Sequence, residues 1–247
     1  MTGKLNTKVA VVTGASSGIG EATALALTAE GASVALVARR ADRLAALQQR
    51  ITENGGQAIA ISADIADENQ AYDVVQKANA VFGRVDILIN NAGVMQLGLI
   101  DGADTEQWRS MININLLGLM YATHAALPIM KAQGTGHIVN ISSTAGLEAN
   151  ANAAVYSATK FGVGAFTEAL RKENHIHKIR VTLIEPGAVA TELGDRITDP
   201  TAKQWAQSWL ETKKPLASDD IASGIVYAVT QPPHVNVNEI VIRPLDQ

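Results

Sequence analysis

Cysteine is absent from this chain, so neither disulfide bonds nor thiolate metal ligands are available to it. The five histidines, His124, His137, His175, His177 and His234, fall in no HExxH-like spacing, and no metal site is expected. An excess of basic residues is missing too: Lys and Arg number 20 against 24 Asp and Glu, a net charge of −4. That balance builds no positive field for nucleic acid or for an anionic membrane. No uninterrupted apolar run reaches the length of a bilayer span. The opening stretch MTGKLNTKVAVVTG runs straight into a strand, with no apolar signal core before a cleavage site. The expectation is a cytoplasmic protein with neither a nucleic-acid nor a membrane partner. Linkers, low-complexity tracts and shifts of composition are also missing, so residues 1–247 are expected to form a single domain. At 47% hydrophobic and 18% charged, the chain has a globular composition and enough length to bury a large core.

What is present alternates. Short apolar runs at 8–13, 33–38, 58–62, 86–90, 137–142, 179–185 and 239–242 read as strands. Helical spacing is found at 21–30, 43–54, from near Asp67 to Phe82, at 105–133 with Pro128 bending the last turns, from around Tyr156 to Asn174, and at 218–230. This βαβα order predicts an α/β fold: a Rossmann-like, doubly wound parallel sheet of about seven strands with helices on both faces.

The turn Gly14-Ala-Ser16-Ser17-Gly18-Ile19-Gly20 follows the first strand at once and opens a helix. Such a turn lets backbone N–H groups approach a pyrophosphate at the positive end of the helix. The second strand ends in Arg39-Arg40, where dinucleotide sites that prefer NAD carry an acidic side chain. Two guanidiniums suit a 2′-phosphate instead, with Ser16 adding a hydrogen bond, so NADP is expected over NAD. Asp42 reads as the N-cap of the following helix. Asp64, at the end of the third strand, can accept from an adenine amino group or cap the next helix. In Asn90-Asn91-Ala92-Gly93 the amides can fix neighbouring backbone, and the small Ala92-Gly93 leaves room for a flat ring. The Pro186-Gly187 turn lies at the carboxyl end of the sixth strand, where α/β sheets bind ligands, and Thr191 lies within reach of a nicotinamide carboxamide. Residues 188–214 read as a lid in preference to a subunit contact, with Trp205 and Trp209 four apart forming an apolar face on a short helix and Ser218 capping the next one.

Tyr156 and Lys160 are also four residues apart and share one helix face. A fixed ammonium beside a phenol favours phenolate and is expected to lower the tyrosine pKa from about 10. Ser143 ends the strand before this helix and can hydrogen-bond a carbonyl or alkoxide oxygen. The apolar middle of the 105–133 helix is interrupted by Asn113 and Asn115, and a buried amide there needs a polar role.

Together, Thr13-Gly14-Ala-Ser-Ser-Gly18-Ile-Gly20, Asn90-Asn91-Ala92-Gly93, Ser143, Tyr156-Ser-Ala-Thr-Lys160 and Pro186-Gly187 strongly resemble the compact single-domain branch of the short-chain dehydrogenase/reductase family, over essentially the whole chain. The resemblance implies that Tyr156 is the general acid/base and that Lys160 lowers its pKa while binding the nicotinamide ribose. It implies that Ser143 polarises the substrate oxygen and that Asn115, not Asn113, holds a proton-relay water. It places NADP against Gly14, Ser16, Ser17, Gly18, Ile19, Gly20, Arg39, Arg40, Asp64, Ile65, Asn91, Ala92, Gly93, Tyr156, Lys160, Pro186, Gly187, Val189 and Thr191. Substrate is expected against Ser143, Tyr156, Met95, Leu147, Leu193 and Trp205. The implied reaction is reversible hydride transfer between NADPH and the carbonyl of a small ketone or aldehyde, in a homotetramer or homodimer. Asn152-Ala-Ala-Val-Tyr156, Leu183-Ile-Glu-Pro-Gly187, Thr191-Glu-Leu193 and Ile242-Arg-Pro244 resemble a bacterial subgroup of ketone and aldehyde reductases that includes clavulanate dehydrogenase. A 3-oxoacyl carrier-protein reductase is the alternative, though Arg196, Lys203, Lys213 and Lys214 at the cleft mouth are interleaved with Glu192, Asp195 and Glu211. A redox-sensing NADP-binding module is another alternative, against which all of Ser143, Tyr156 and Lys160 are present.

Overall fold

The computed structural model describes residues 3–212 and 214–247, and Lys213 lies outside the described residues. β1 (Val9–Thr13), β2 (Ser33–Ala38), β3 (Gln57–Ser62), β4 (Ile87–Asn90), β5 (Gly136–Ile141), β6 (Ile179–Pro186) and β7 (Glu239–Ile242) form one sheet in the order β3-β2-β1-β4-β5-β6-β7. Every pairing is parallel. The order reverses between β1 and β4, which opens a crevice beyond their carboxyl ends. Strands covered on both faces need apolar residues at consecutive positions, and β1 and β4 are buried throughout.

The helices are α1 (Gly18–Ala29), α2 (Ala41–Glu53), α3 (Glu68–Phe82), α4 (Thr105–Ile112), α5 (Gly118–Gln133), α6 (Ala154–Asn174), α7 (Pro200–Glu211) and α8 (Ser218–Val229). On one face of the sheet, Leu27 of α1, Leu44 and Ile51 of α2 and Ile221 and Ile225 of α8 pack over Val12, Leu36 and Ile184. On the other, Val74 and Val75 of α3, Ala122, Ala126 and Met130 of α5 and Leu170 of α6 cover Val11, Leu88 and Val181. This is the doubly wound, Rossmann-like single domain expected.

The 105–133 stretch keeps its outer bounds but not its regularity. A π-helical turn, Asn113–Leu117, separates α4 from α5, while Pro128 stays inside α5. By length and composition this combined helix is long and apolar enough to cross a membrane, as core helices also can be; here it lays Ala122, Ala125, Ala126 and Met130 into the core. Two capping expectations fail. The helix assigned to Asp42 starts two residues earlier than expected, at Ala41 rather than Arg43, with Arg40 at the N-cap and Asp42 in the first turn, where its charge suits the helix dipole. Ser218 is the first residue of α8 rather than its cap, and the Asp220 carboxylate reaches back to accept the Ala217 N–H at 2.8 Å. Asp67, not Asp64, caps α3 by accepting from Gln70 N at 3.0 Å.

Candidate active site

Thr13 ties the end of β1 to the end of β4. Its hydroxyl donates to Ile89 O at 3.2 Å and accepts from the N–H groups of Asn91 (3.0 Å) and Ala92 (3.1 Å). Asn91 in turn donates to Thr13 O at 2.9 Å, holding the glycine turn from the side. A Cβ at Gly20 would stand 2.4 Å from Gly14 O, and one at Gly14 2.8 Å from Ala92 Cα, so these two glycines serve close internal packing. Gly14 and Gly18 also have φ of +68° and +58°. Asn90, one residue before Asn91, points the other way, and its amide donates to Thr123 (3.0 Å) and Asn140 (2.9 Å) in the core.

Consecutive serines divide in the same manner. Ser142 is buried and donates to Lys160 O at 3.0 Å. Ser143 accepts from Ala145 N at 3.1 Å, and its hydroxyl lies beside the Tyr156 phenol. Lys160 lies one helical turn beyond Tyr156, and its Nζ donates to Ile141 O at 2.9 Å. Asn115 sits in the π-helical turn, 2% exposed. Its amide brackets Val94, accepting from N at 2.8 Å and donating to O at 2.9 Å, and also donates to Thr159 at 3.2 Å. Gly118, at the start of α5, lets the helix pass Ile65, whose carbonyl oxygen a Cβ would meet at 2.8 Å.

The expectation of a depressed tyrosine pKa is not met in the protein alone. Burial pushes the Tyr156 phenol up to about 12, only partly offset by the Ser143 hydrogen bond, and burial pulls Lys160 down to about 8. Removal from water sets both shifts, and the ammonium is engaged by a strand carbonyl rather than by the phenol oxygen.

Of the two arginines after β2, only Arg40 meets the glycine turn. Nε donates to Ser16 Oγ at 3.0 Å and a terminal nitrogen to Ser17 Oγ at 2.6 Å. Arg39 is half-exposed and faces Asp64 at 3.9 Å, and Asp64 itself accepts from Ala66 N at 3.1 Å. Ser17, at the N-cap of α1, makes no side-chain capping bond. At the other end of the cleft, a Cβ at Gly93 would stand 3.4 Å from Asn115 Oδ1 and 3.9 Å from Lys160 Nζ. The missing side chain leaves a shallow bed above the lysine.

The sequence pattern of short chain dehydrogenases matches residues 8–202. The chain belongs to the short chain dehydrogenase family. An uncharacterised oxidoreductase from Staphylococcus saprophyticus is 42% identical to it over 243 residues, 97% of each chain. The closed form of a serine dehydrogenase complexed with NADP+ has a TM-score of 0.89 at 32% identity, covering 97% of this chain and 96% of that one. An alcohol dehydrogenase from the archaeon Thermococcus sibiricus, complexed with 5-hydroxy-NADP, has a TM-score of 0.87 at 30% identity, covering 97% of each.

In this member of the family the segment after β6 crosses the cleft mouth. Ala188 N donates to Gln247 Oε1 at 2.8 Å, which fixes the chain beyond Pro186-Gly187, and Val189 bridges Leu216. The Thr191 methyl lies against Gly18, 3.2 Å from where a Cβ would be. Farther on, Gln96 donates to Arg196 O at 2.7 Å and accepts from Thr198 N at 3.0 Å, strapping this segment to the chain after β4. α7 is seated by Ala202 and Ala206, which with Ile197 pack on Leu97, Ala153 and Met95. Trp205, expected over the substrate, is 46% exposed and lies outside that cluster: the small alanines take the inner face. Leu147 is also largely exposed, while Leu193 and Met95 are partly covered at the cleft. Sequence reasoning missed Thr159, Arg43, Gln96 and the Thr13 hydroxyl; only Thr13 carried a signal, as a polar residue closing a fully apolar strand.

Proposed function

We propose that this oxidoreductase transfers hydride between NADPH and the carbonyl carbon of a small ketone or aldehyde, with the secondary or primary alcohol as the partner in reverse. The observation that carries the reading is the convergence of the Ser143 hydroxyl and the buried Tyr156 phenol above Lys160, at the carboxyl edge of the sheet. The complexes of the two structural relatives with NADP+ and 5-hydroxy-NADP support the cofactor.

The donor set suits that cofactor. The uncapped N-terminus of α1 with Ser17 takes a pyrophosphate, Arg40 with Ser16 takes a 2′-phosphate, and the bed over Gly93 takes a flat ring. Bound NADPH supplies the hydride. Ser143 and Tyr156 then hold the carbonyl oxygen by two O–H donors, stabilising the charge that develops there. Tyr156 gives its proton from Oη to the alkoxide oxygen. A phenol raised to about 12 is fully protonated at neutral pH, which is the state reduction requires. Lys160 places its charge beside the phenolate so formed and lowers its energy. Asn115, its amide consumed by Val94 and Thr159, acts by positioning: it fixes the 94 backbone against α6.

The same proposal includes assembly as a homotetramer or homodimer, supported by Ile112 at the end of α4 and Phe161 on α6, both partly exposed on outward faces. NADPH and NADH oxidation against a panel of ketones, aldehydes and a 3-oxoacyl thioester tests the function. NADPH turnover with free carbonyls is expected; turnover confined to the thioester would reassign the substrate class, and tight binding without turnover would favour a sensor.

A further inference from the structure

Glu192 follows Thr191 on the segment leaving β6, and two arginines share its carboxylate. Oε2 accepts from Arg40 at 2.8 Å and Oε1 from Arg43 at 2.6 Å. The same Arg40 guanidinium donates to Ser16 and Ser17 at the mouth of the glycine turn. One anion, two guanidiniums and two hydroxyls therefore form a single cluster drawn from three distant parts of the chain. Hydrogen bonds from Arg43 and Arg40 hold the Glu192 carboxyl down to about 2, so it is ionised at neutral pH. The carboxylate is 44% exposed, and water and salt weaken its ion pairs. A phosphate dianion carries more charge and three acceptor oxygens, so it is the stronger ligand for the same arginines.

We propose that Glu192 occupies the anion place of the cofactor site in the free protein, and that a nucleotide 2′-phosphate binds by taking Arg40 and Arg43 from it. This rests on the NADPH reading above. Glu192 is thereby a specificity-determining residue: as the competing anion it lowers affinity for 2′-phosphorylated nucleotides and narrows their advantage over those without a 2′-phosphate. A nucleotide without a 2′-phosphate leaves the tie intact, whereas a 2′-phosphorylated one frees the segment 191–196. That segment continues into the strap held by Gln96, so the release is transmitted toward α7.

The test is calorimetric titration of the full-length protein and of Glu192→Gln with 2′,5′-ADP and with 5′-AMP. The variant is expected to bind 2′,5′-ADP about two- to fivefold more tightly, with 5′-AMP unchanged, because an exposed ion pair has been removed as competitor. Glu192→Ala should repeat the result. In the parent protein, 2′,5′-ADP but not 5′-AMP should speed amide hydrogen exchange across 191–198. Unchanged or weaker binding of 2′,5′-ADP by both variants overturns the inference while leaving the NADPH reading intact. If the parent binds 2′,5′-ADP no better than 5′-AMP, the 2′-phosphate reading fails and takes the inference with it.

Discussion

Lys160 Nζ donates to Ile141 O at 2.9 Å while standing 5.7 Å from the centre of the Tyr156 ring. The ammonium is thus anchored to the end of β5, beside the phenol but not bonded to it. Helix spacing makes the two residues neighbours, and burial decides their ionisation: the phenol goes up to about 12 and the ammonium down to about 8.

Tyr156→Phe removes the proton donor and keeps the ring. The kcat for carbonyl reduction should fall by about 10²- to 10⁴-fold, the usual contribution of a positioned acid. NADPH binding, followed by fluorescence, should be nearly unchanged; retained turnover would remove Tyr156 from the role.

The two adjacent arginines should separate experimentally. Arg40→Ala is expected to weaken 2′,5′-ADP binding by about tenfold or more, as loss of charge-assisted hydrogen bonds does. Arg39→Asp should shift the NADPH/NADH ratio less than Arg40→Asp does, because Arg39 faces Asp64 instead of the glycine turn. The reverse ranking in steady-state kinetics would place the phosphate on Arg39.

Glu185 is 1% exposed and its Oε2 lacks a hydrogen-bond partner, so burial raises its pKa well above the ordinary 4.5, with Glu239 adding to the rise and Arg243 opposing it. Its raised folded-state pKa gives stability that is complete below the unfolded value and is lost as pH climbs through the folded one. The melting temperature should therefore drop between pH 5 and 8, on the order of 3 °C per pH unit. Glu185→Gln should flatten that slope in a calorimetric pH series, and an unchanged slope would assign it to other groups.

Asn115→Leu preserves volume but strands the N–H and C=O of Val94. A loss of about 2 kcal/mol in urea unfolding is expected from those two groups. Thr159→Val leaves the Val94 pair intact and should cost less than half as much.

Sedimentation at low micromolar concentration should show a tetramer or dimer, and Phe161→Asp on the outward face of α6 should shift it to smaller species. A stable parent monomer would remove the assembly proposal.

Most element positions were legible because each strand is an apolar run closed by polar or glycine residues and each helix repeats its apolar positions. The π-helical turn at 113–117 was not, since Asn-Ile-Asn-Leu-Leu differs little from regular helix and the contacts of Asn115 with Val94 and Thr159 are made with distant parts of the chain. The lid helix was legible as an element but not its orientation. Two tryptophans suggested the buried face, yet Ala202 and Ala206 allow closer approach to Leu97 and Ala153.

By itself the sequence determined the order of strands and helices, the glycine turn at the end of β1, and the one-turn separation of Tyr156 and Lys160, all of them properties of local spacing. Tertiary structure decided which member of each adjacent polar pair leaves the core, Asn91 over Asn90 and Ser143 over Ser142, and which arginine meets the glycine turn, Arg40 over Arg39. Successive side chains near a strand end point to opposite sides, so a shift of one residue exchanges core for cleft. It also decided the ionisation of Tyr156, which depends on exclusion of water, and the meeting of Glu192 with Arg40 across 152 positions of chain.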